Sequence, residues 1–202
     1  MKILFEGDSI TDAARILEWT DDLGVGYAMM AASLYRAQTK DNTAEFKNTA
    51  VSGSRIIELK QRWDKVLEYS PDVLSVYIGV NDCWRRYDQN DPISAADFEN
   101  GYREILSAVK AHCDPRLIIV EPYVLPVMEG QDKWREDLDP KIQAVRKIAR
   151  EFNAVLVPLD GIFAAHASYN EPSFWSWDGV HPTSAGHAVI ANAWLDAFYS
   201  LF

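Results

Sequence analysis

Ser9, in Gly7-Asp8-Ser9, and the run Asp178-Gly179-Val180-His181 supply the three side-chain types that acyl transfer to a hydroxyl requires. A serine hydroxyl attacks a carbonyl poorly at neutral pH unless an imidazole takes its proton. The imidazole does so well only when a carboxylate holds its other ring nitrogen. Ser9 is then the candidate nucleophile, His181 the base and Asp178 the group that orients it. The three-residue spacing allows a loop to bring the Asp178 carboxylate back to Nδ1 of His181. Each piece also has a plain structural use: Gly-Asp-Ser makes an ordinary turn and helix cap, because Asp and Ser side chains bond free backbone N–H groups. The chemistry requires a fold that carries residue 181 back to residue 9 across most of the chain.

Two more short motifs offer hydrogen-bond donors for the negative charge that develops on the attacked carbonyl oxygen. Gly53 closes Asn48-Thr49-Ala50-Val51-Ser52-Gly53, and a glycine there lets a backbone N–H approach a ligand closely. Asn81, in Gly79-Val80-Asn81-Asp82, carries a side-chain amide. Ser9 adds its own N–H, at a point where a strand turning into a helix gives positive potential. Either motif could equally be a simple turn.

The elements that must position these residues alternate along the chain. Short apolar runs predict strands over 2–6, 45–51, 72–78, 117–121 and 154–158. Mixed, helix-like patterns fall over 12–36, with Gly24 and Gly26 as breaks, and over 55–69, closed by Pro71. Further helices are expected from an N-cap at Ser94 to about 112, over 140–152 and over 184–202. Such alternation predicts a three-layer α/β/α domain with a parallel five-stranded sheet and right-handed crossovers. Ligands of open sheets of this kind bind beyond the carboxyl ends of the strands. Ser9, Gly53, Asn81 and Tyr123 each follow a strand, and the 178–181 loop lies after strand five and a connecting segment, so all the candidate chemistry falls on one edge.

With 202 residues, 48% of them hydrophobic, the chain can bury a full core as a single domain over 1–202, and no Gly/Ser/Pro-rich linker divides it. A net charge of −10 argues against nucleic acid or anionic lipid as partner and suits a neutral or cationic ligand. The densest acidic stretch, 132–139, reads as a solvated loop and helix start. Cys83 and Cys113 form no Cys-x-x-Cys pair and are expected to be reduced, non-catalytic thiols. The initial apolar run is too short for a signal peptide and no stretch approaches the roughly 20 apolar residues of a membrane span, so a cytoplasmic location is expected. His187 has no third ligand beside His181 at metal spacing, and is expected to be structural. Asp8 and Asp82, next to the candidate residues, are expected to bond loop amides. Arg55 could orient either the Gly53 loop or a substrate hydroxyl.

Taken together, GDSI around Ser9, NTAVSGS around Gly53, GVND around Asn81 and DGVHP around His181 resemble the SGNH hydrolases, also called GDSL esterases and lipases. The motifs stand in that family's order and span nearly the whole chain; Ile10 in place of the name-giving leucine is a conservative departure. The resemblance implies a flavodoxin-like sheet of order 2-1-3-4-5 and a Ser9–His181–Asp178 triad. It also implies an oxyanion hole from the N–H groups of Ser9 and Gly53 with the Asn81 side chain, and chemistry that needs no cofactor and no metal.

A narrower likeness, carried by GVNDCWRRYD and WSWDGVHPTSAGH, is to the acetylxylan esterase-type members. It implies a serine esterase acting on small-molecule esters, acetylated oligosaccharides first among them, with homo-oligomers a possible form. Trp84, Tyr87, Tyr123, Trp175 and Trp177 fall in or beside the active-edge loops, where flat rings could stack on sugars; the alternative for each is core packing. Lipid esters, aryl esters or thioesters would use the same machinery. A non-catalytic sugar-binding domain would have no use for nucleophile, base, orienting acid and three donors together. A nucleotide-binding flavodoxin-like protein would need a phosphate-cradling loop that the sequence lacks.

Overall fold

The computed structural model describes residues 1–19 and 21–202. Five parallel strands form one sheet: β1 (Lys2–Gly7), β2 (Glu45–Asn48), β3 (Val73–Tyr77), β4 (Arg116–Val120) and β5 (Val155–Val157), in the order β2-β1-β3-β4-β5. The five-stranded three-layer fold is as the sequence predicts. Register runs Phe5 to Ser75, Gly7 to Tyr77, Tyr77 to Val120 and Val120 to Val157, so β1, β3, β4 and β5 end level at one edge, while β2 stops at Asn48 opposite Phe5.

Helices cover both faces because alternate side chains of each buried strand point opposite ways. Ile3, Phe5, Tyr77 and Val120 belong to one core, shared with α2 (Tyr27–Thr39) and α10 (Ser184–Tyr199). Leu4, Val76 and Ile119 belong to the other, against α3 (Ile56–Gln61), α4 (Asp64–Tyr69), α6 (Ala95–His112) and part of α7 (Arg135–Glu151). On the first face Phe5 packs on Trp194, and the Trp194 indole N–H donates to Ser75 Oγ at 2.9 Å. That bond ties the last helix to the centre of the sheet.

Four differences from the sequence expectation bear on the site. The stretch 12–36 is not one helix: α1 (Ser9–Asp12) stops after a single turn and α2 starts at Tyr27. The helix expected over 55–69 breaks at Arg62–Trp63 with tight i to i−3 bonds, which buries Trp63 while Arg62 reaches back to Glu6 and the Gly7 carbonyl. Helix α7 begins at Arg135, with Pro140 in its second turn. The carbonyl this frees belongs to Glu136, which is exposed and can use water. Beyond the expected elements, α5 (Val80–Asp88) starts directly after β3, and the connection after β5 holds α8 (Leu159–His166) and α9 (Pro172–Trp175). Among the described residues no helix is long and apolar enough to cross a membrane.

Candidate active site

Ser9 is the first residue of α1, immediately beyond β1, so its N–H has no intrahelical carbonyl to bond. Asp8 caps the helix: its Oδ1 accepts from the Ile10 N–H at 3.0 Å. Asp8 is fully buried and its other oxygen has no partner among the described residues. Burial pushes its carboxyl up to about 7, against the pull of the Ile10 N–H and the nearby His181 and Arg62.

The segment after α9 brings the other two candidates to Ser9. Ser9 Oγ lies 2.9 Å from His181 Nε2, and His181 Nδ1 lies 2.7 Å from Asp178 Oδ2. With Nδ1 donating to the carboxylate, Nε2 is left to accept the serine proton. The second oxygen, Asp178 Oδ1, accepts from the N–H groups of Val180 (3.0 Å) and His181 (2.7 Å). Burial works against the Asp178 charge, but the bonds from the His181 ring and from these two N–H groups prevail and hold its carboxyl at about 2. The bond to Asp178 in turn raises the His181 pKa above its ordinary value, against burial and with help from the charges of Asp178 and Asp8.

The carbonyls of this loop are held one by one. Gln131 Nε2 donates to the Asp178 carbonyl at 2.6 Å, Leu125 N–H to Gly179, Tyr123 Oη–H to Val180 at 2.8 Å, and Ser176 Oγ–H to His181 at 3.0 Å. Gly179 sits at φ +88°, where a side chain would be strained and its Cβ would lie 2.5 Å from Gln131 Oε1.

Side-chain bonds tie the Gly53 loop to α1 and Asn81 to that loop. Ser52 Oγ–H donates to Asp12 Oδ2 at 2.5 Å, which fixes the 49–54 loop to α1. Gly53 is at φ +81° with open space where a Cβ would stand. Asn81, in the first turn of α5, donates one amide hydrogen to the Ser54 carbonyl at 3.1 Å, and the amide has a second hydrogen. Asp82 accepts from the Ile56 N–H with both oxygens, at 3.1 and 3.2 Å, and burial pushes its carboxyl up to about 7. Both acids therefore bond backbone amides, Asp8 at α1 and Asp82 at α3. Arg55, just beyond the Gly53 loop, pairs with Glu58 (2.8 Å) and Asp91 (2.7 Å).

The aromatic candidates separate. Trp84 stands beside the histidine, ring centroids 5.9 Å apart, and is backed by Trp134 at 5.4 Å. Tyr87 lies behind this pair, stacked on Trp134 at 5.5 Å, with its hydroxyl on the Lys133 carbonyl. Tyr123 is not at the surface: it is fully buried against Phe163 and props the Val180 carbonyl, so the expectation that it contacts substrate gives way to one of support. Trp175 is half-buried among His166 and Phe174, while Trp177 is 71% exposed.

His187 Nδ1 accepts the first N–H of α2, from Tyr27, at 3.2 Å; burial lowers its pKa to about 4 and keeps it neutral. Among the described residues no group of three or more His, Cys, Asp or Glu is placed to hold a metal ion. Two residues escaped the sequence reading. Trp134 lies in the acidic stretch expected to be solvated, yet it is buried, as is the Asp137–Lys141 ion pair at 2.5 Å beside it. Gln131 had no signal at all, since a lone amide in a loop has no period or spacing.

The model of the GDSL-like lipase/acylhydrolase family matches residues 5–189. An acetylxylan esterase of Geobacillus stearothermophilus is 32% identical, covering 96% of this chain and 92% of that protein. Among solved structures, the acetylxylan esterase Axe2 of the same organism superposes with a TM-score of 0.89 at 31% identity, over 97% of this chain and 93% of its own. LAE5, an α/β hydrolase enzyme from the metagenome of Lake Arreo, Spain, superposes with a TM-score of 0.90 at 28% identity, over 100% and 96%.

Proposed function

Since the chain belongs to the GDSL-like lipase/acylhydrolase family and is a carboxylic ester hydrolase, we propose that it removes small acyl groups, acetyl foremost, from carbohydrate esters through Ser9, His181 and Asp178. Ser9 Oγ attacks the ester carbonyl while His181 Nε2 takes its proton. The carbonyl oxygen becomes an oxyanion facing the N–H groups of Ser9 and Gly53 and the free hydrogen of the Asn81 amide. His181 then gives its proton to the departing sugar oxygen, leaving an acyl group on Ser9. Water deprotonated by the same imidazole attacks this acyl-enzyme, and the acid and Ser9 are released. Asp178 stays ionised throughout and stabilises the imidazolium.

The observation that carries this reading is the continuous hydrogen-bonded chain Ser9–His181–Asp178, at 2.9 and 2.7 Å, between residues from opposite ends of the sequence. The acetyl and sugar preferences are supported by the similarity to an acetylxylan esterase and by the Trp84–Trp134 wall beside the histidine. The test is a hydrolysis panel of acetylated xylo-oligosaccharides against aryl esters of increasing acyl length, run with wild type and Ser9→Ala. Acetyl release by wild type and none by Ser9→Ala is expected. Turnover and serine-directed phosphonate labelling that survive Ser9→Ala would refute the mechanism. A preference for long-chain esters would refute the substrate class alone.

A further inference from the structure

We propose that Gln131 is a positioning residue for the hydrolysis: its carboxamide pins the Asp178–Gly179 turn to the loop that carries the Trp134 wall, so that the base and the wall are held in one register. This rests on the Ser9–His181–Asp178 reading above.

The side chain is 1% exposed and every strong bond it makes serves this link. Oε1 accepts from the N–H groups of Val127 (2.9 Å) and Met128 (2.8 Å), while Nε2 donates to the Asp178 carbonyl at 2.6 Å. A buried amide with these partners has little freedom to rotate, because any swing leaves a buried carbonyl or N–H unpaired. Its plane lies against Gly179, where a Cβ would come within 2.5 Å of Oε1 and 2.8 Å of Nε2. The bond thus acts on the backbone of the residue whose carboxylate orients His181.

The same side chain fixes the other wall of the site. Gln131 starts the 3-10 turn Gln131–Trp134, whose Trp134 supports Trp84, and Tyr87 Oη–H closes on Lys133 in that turn. A hydrolase whose acyl site lies beside both Trp84 and His181 needs these two parts fixed relative to each other. Between the 127–134 loop and Asp178, Gln131 is the side chain that supplies the bond.

The test uses Gln131→Met, which keeps the volume and removes all three bonds without adding charge. Expected are a kcat lower by roughly 10- to 100-fold, in line with a displacement of about 1 Å at a reacting group, with KM little changed. The acid-limb midpoint of kcat/KM should fall, because a displaced Asp178 supports the His181 proton less. The other groups facing His181, Asp8 from the β1–α1 junction and His187 from α10, are untouched. In an Asp178→Asn background the Gln131→Met penalty should shrink, since both act through one carboxylate. If the Met variant does not fold, Gln131→Asn keeps a carboxamide but is one methylene too short to bridge both sides, and the same losses are expected. A variant with wild-type kcat and midpoint and only a lowered Tm would overturn the proposal, as would a kcat loss that adds fully to that of Asp178→Asn. Activity that survives Ser9→Ala would instead strike the triad itself, so the two failures are distinguishable.

Discussion

The indole of Trp84 and the imidazole of His181 face each other at 5.9 Å, tilted by 55°, with Trp134 filling the space behind the indole. A wall backed in this way cannot swing aside cheaply, so it limits what can sit next to the reacting carbonyl.

Acyl length should therefore count against turnover. With p-nitrophenyl esters, kcat/KM is expected to fall from acetyl through butyryl to octanoyl, whereas an open apolar groove would gain up to about 0.8 kcal/mol per buried methylene. Trp84→Ala should flatten the fall. Trp175→Ala should leave it unchanged, because that ring packs on His166 and Phe174. A rise toward octanoyl in the wild type would show that the wall does not close the acyl site.

Asn81→Ala should lower kcat by roughly 10² to 10³ with KM changed far less, the usual result of losing a donor aimed at charge that develops in the transition state. Because Asn81 also bonds the Ser54 carbonyl, some loss of Tm should accompany it. Single-turnover and steady-state kinetics separate the two; an effect confined to KM would make Asn81 a ground-state contact.

Activity should rise with pH as His181 loses its proton. Its pKa is raised by the Asp178 bond, so the midpoint of the acid limb should lie above about 6.5, the ordinary imidazole value. Asp178→Asn removes that bond to a charge, which should lower the midpoint and cut kcat by up to about 10⁴. A rate flat from pH 5 to about 8 would exclude a histidine base.

Asp82 should make the fold less stable as pH rises. Its carboxyl titrates at about 7 when folded, against about 3.9 in an unfolded chain. Between those values the folded state holds a proton the unfolded state has released, so stability falls from about pH 4 to 7 and levels off above. Asp8 adds to this slope, and His187, held near 4 when folded, opposes it. Thermal melts across that range should show a shallower decline for Asp82→Asn than for wild type; parallel curves would mean that Asp82 does not titrate there.

The strands and the layer order were legible because a parallel strand buried on both faces leaves a near-continuous apolar run, as in Ile3–Phe5 and Leu117–Val120. The helix after β3 was not. Its N-cap and first turn, Gly79 to Asp82, read as a turn because Gly, Asn and Asp are turn-forming types, whereas in the fold Val80 and Cys83 are buried in the core and the segment is helical. The acidic stretch misled for a related reason: composition reports charge but not pairing, and Asp137 is buried because Lys141 and Arg86 meet it there.

The sequence by itself determined which residue types stand in the loops that carry the site, because Ser9, Gly53, Asn81, Asp178 and His181 sit in short local motifs with their own turn and cap chemistry. Their mutual distances belong to the tertiary structure. Parallel register levels the ends of β1, β3, β4 and β5, and the 178–181 loop is then fixed by bonds from Gln131, Leu125, Tyr123 and Ser176, none of which has a recognisable spacing to it. Which aromatic rings are wall and which are core was likewise decided in three dimensions. Trp84 and Tyr123 look alike in sequence, but a side chain's exposure depends on what the other elements leave uncovered, and that is a property of the assembled fold.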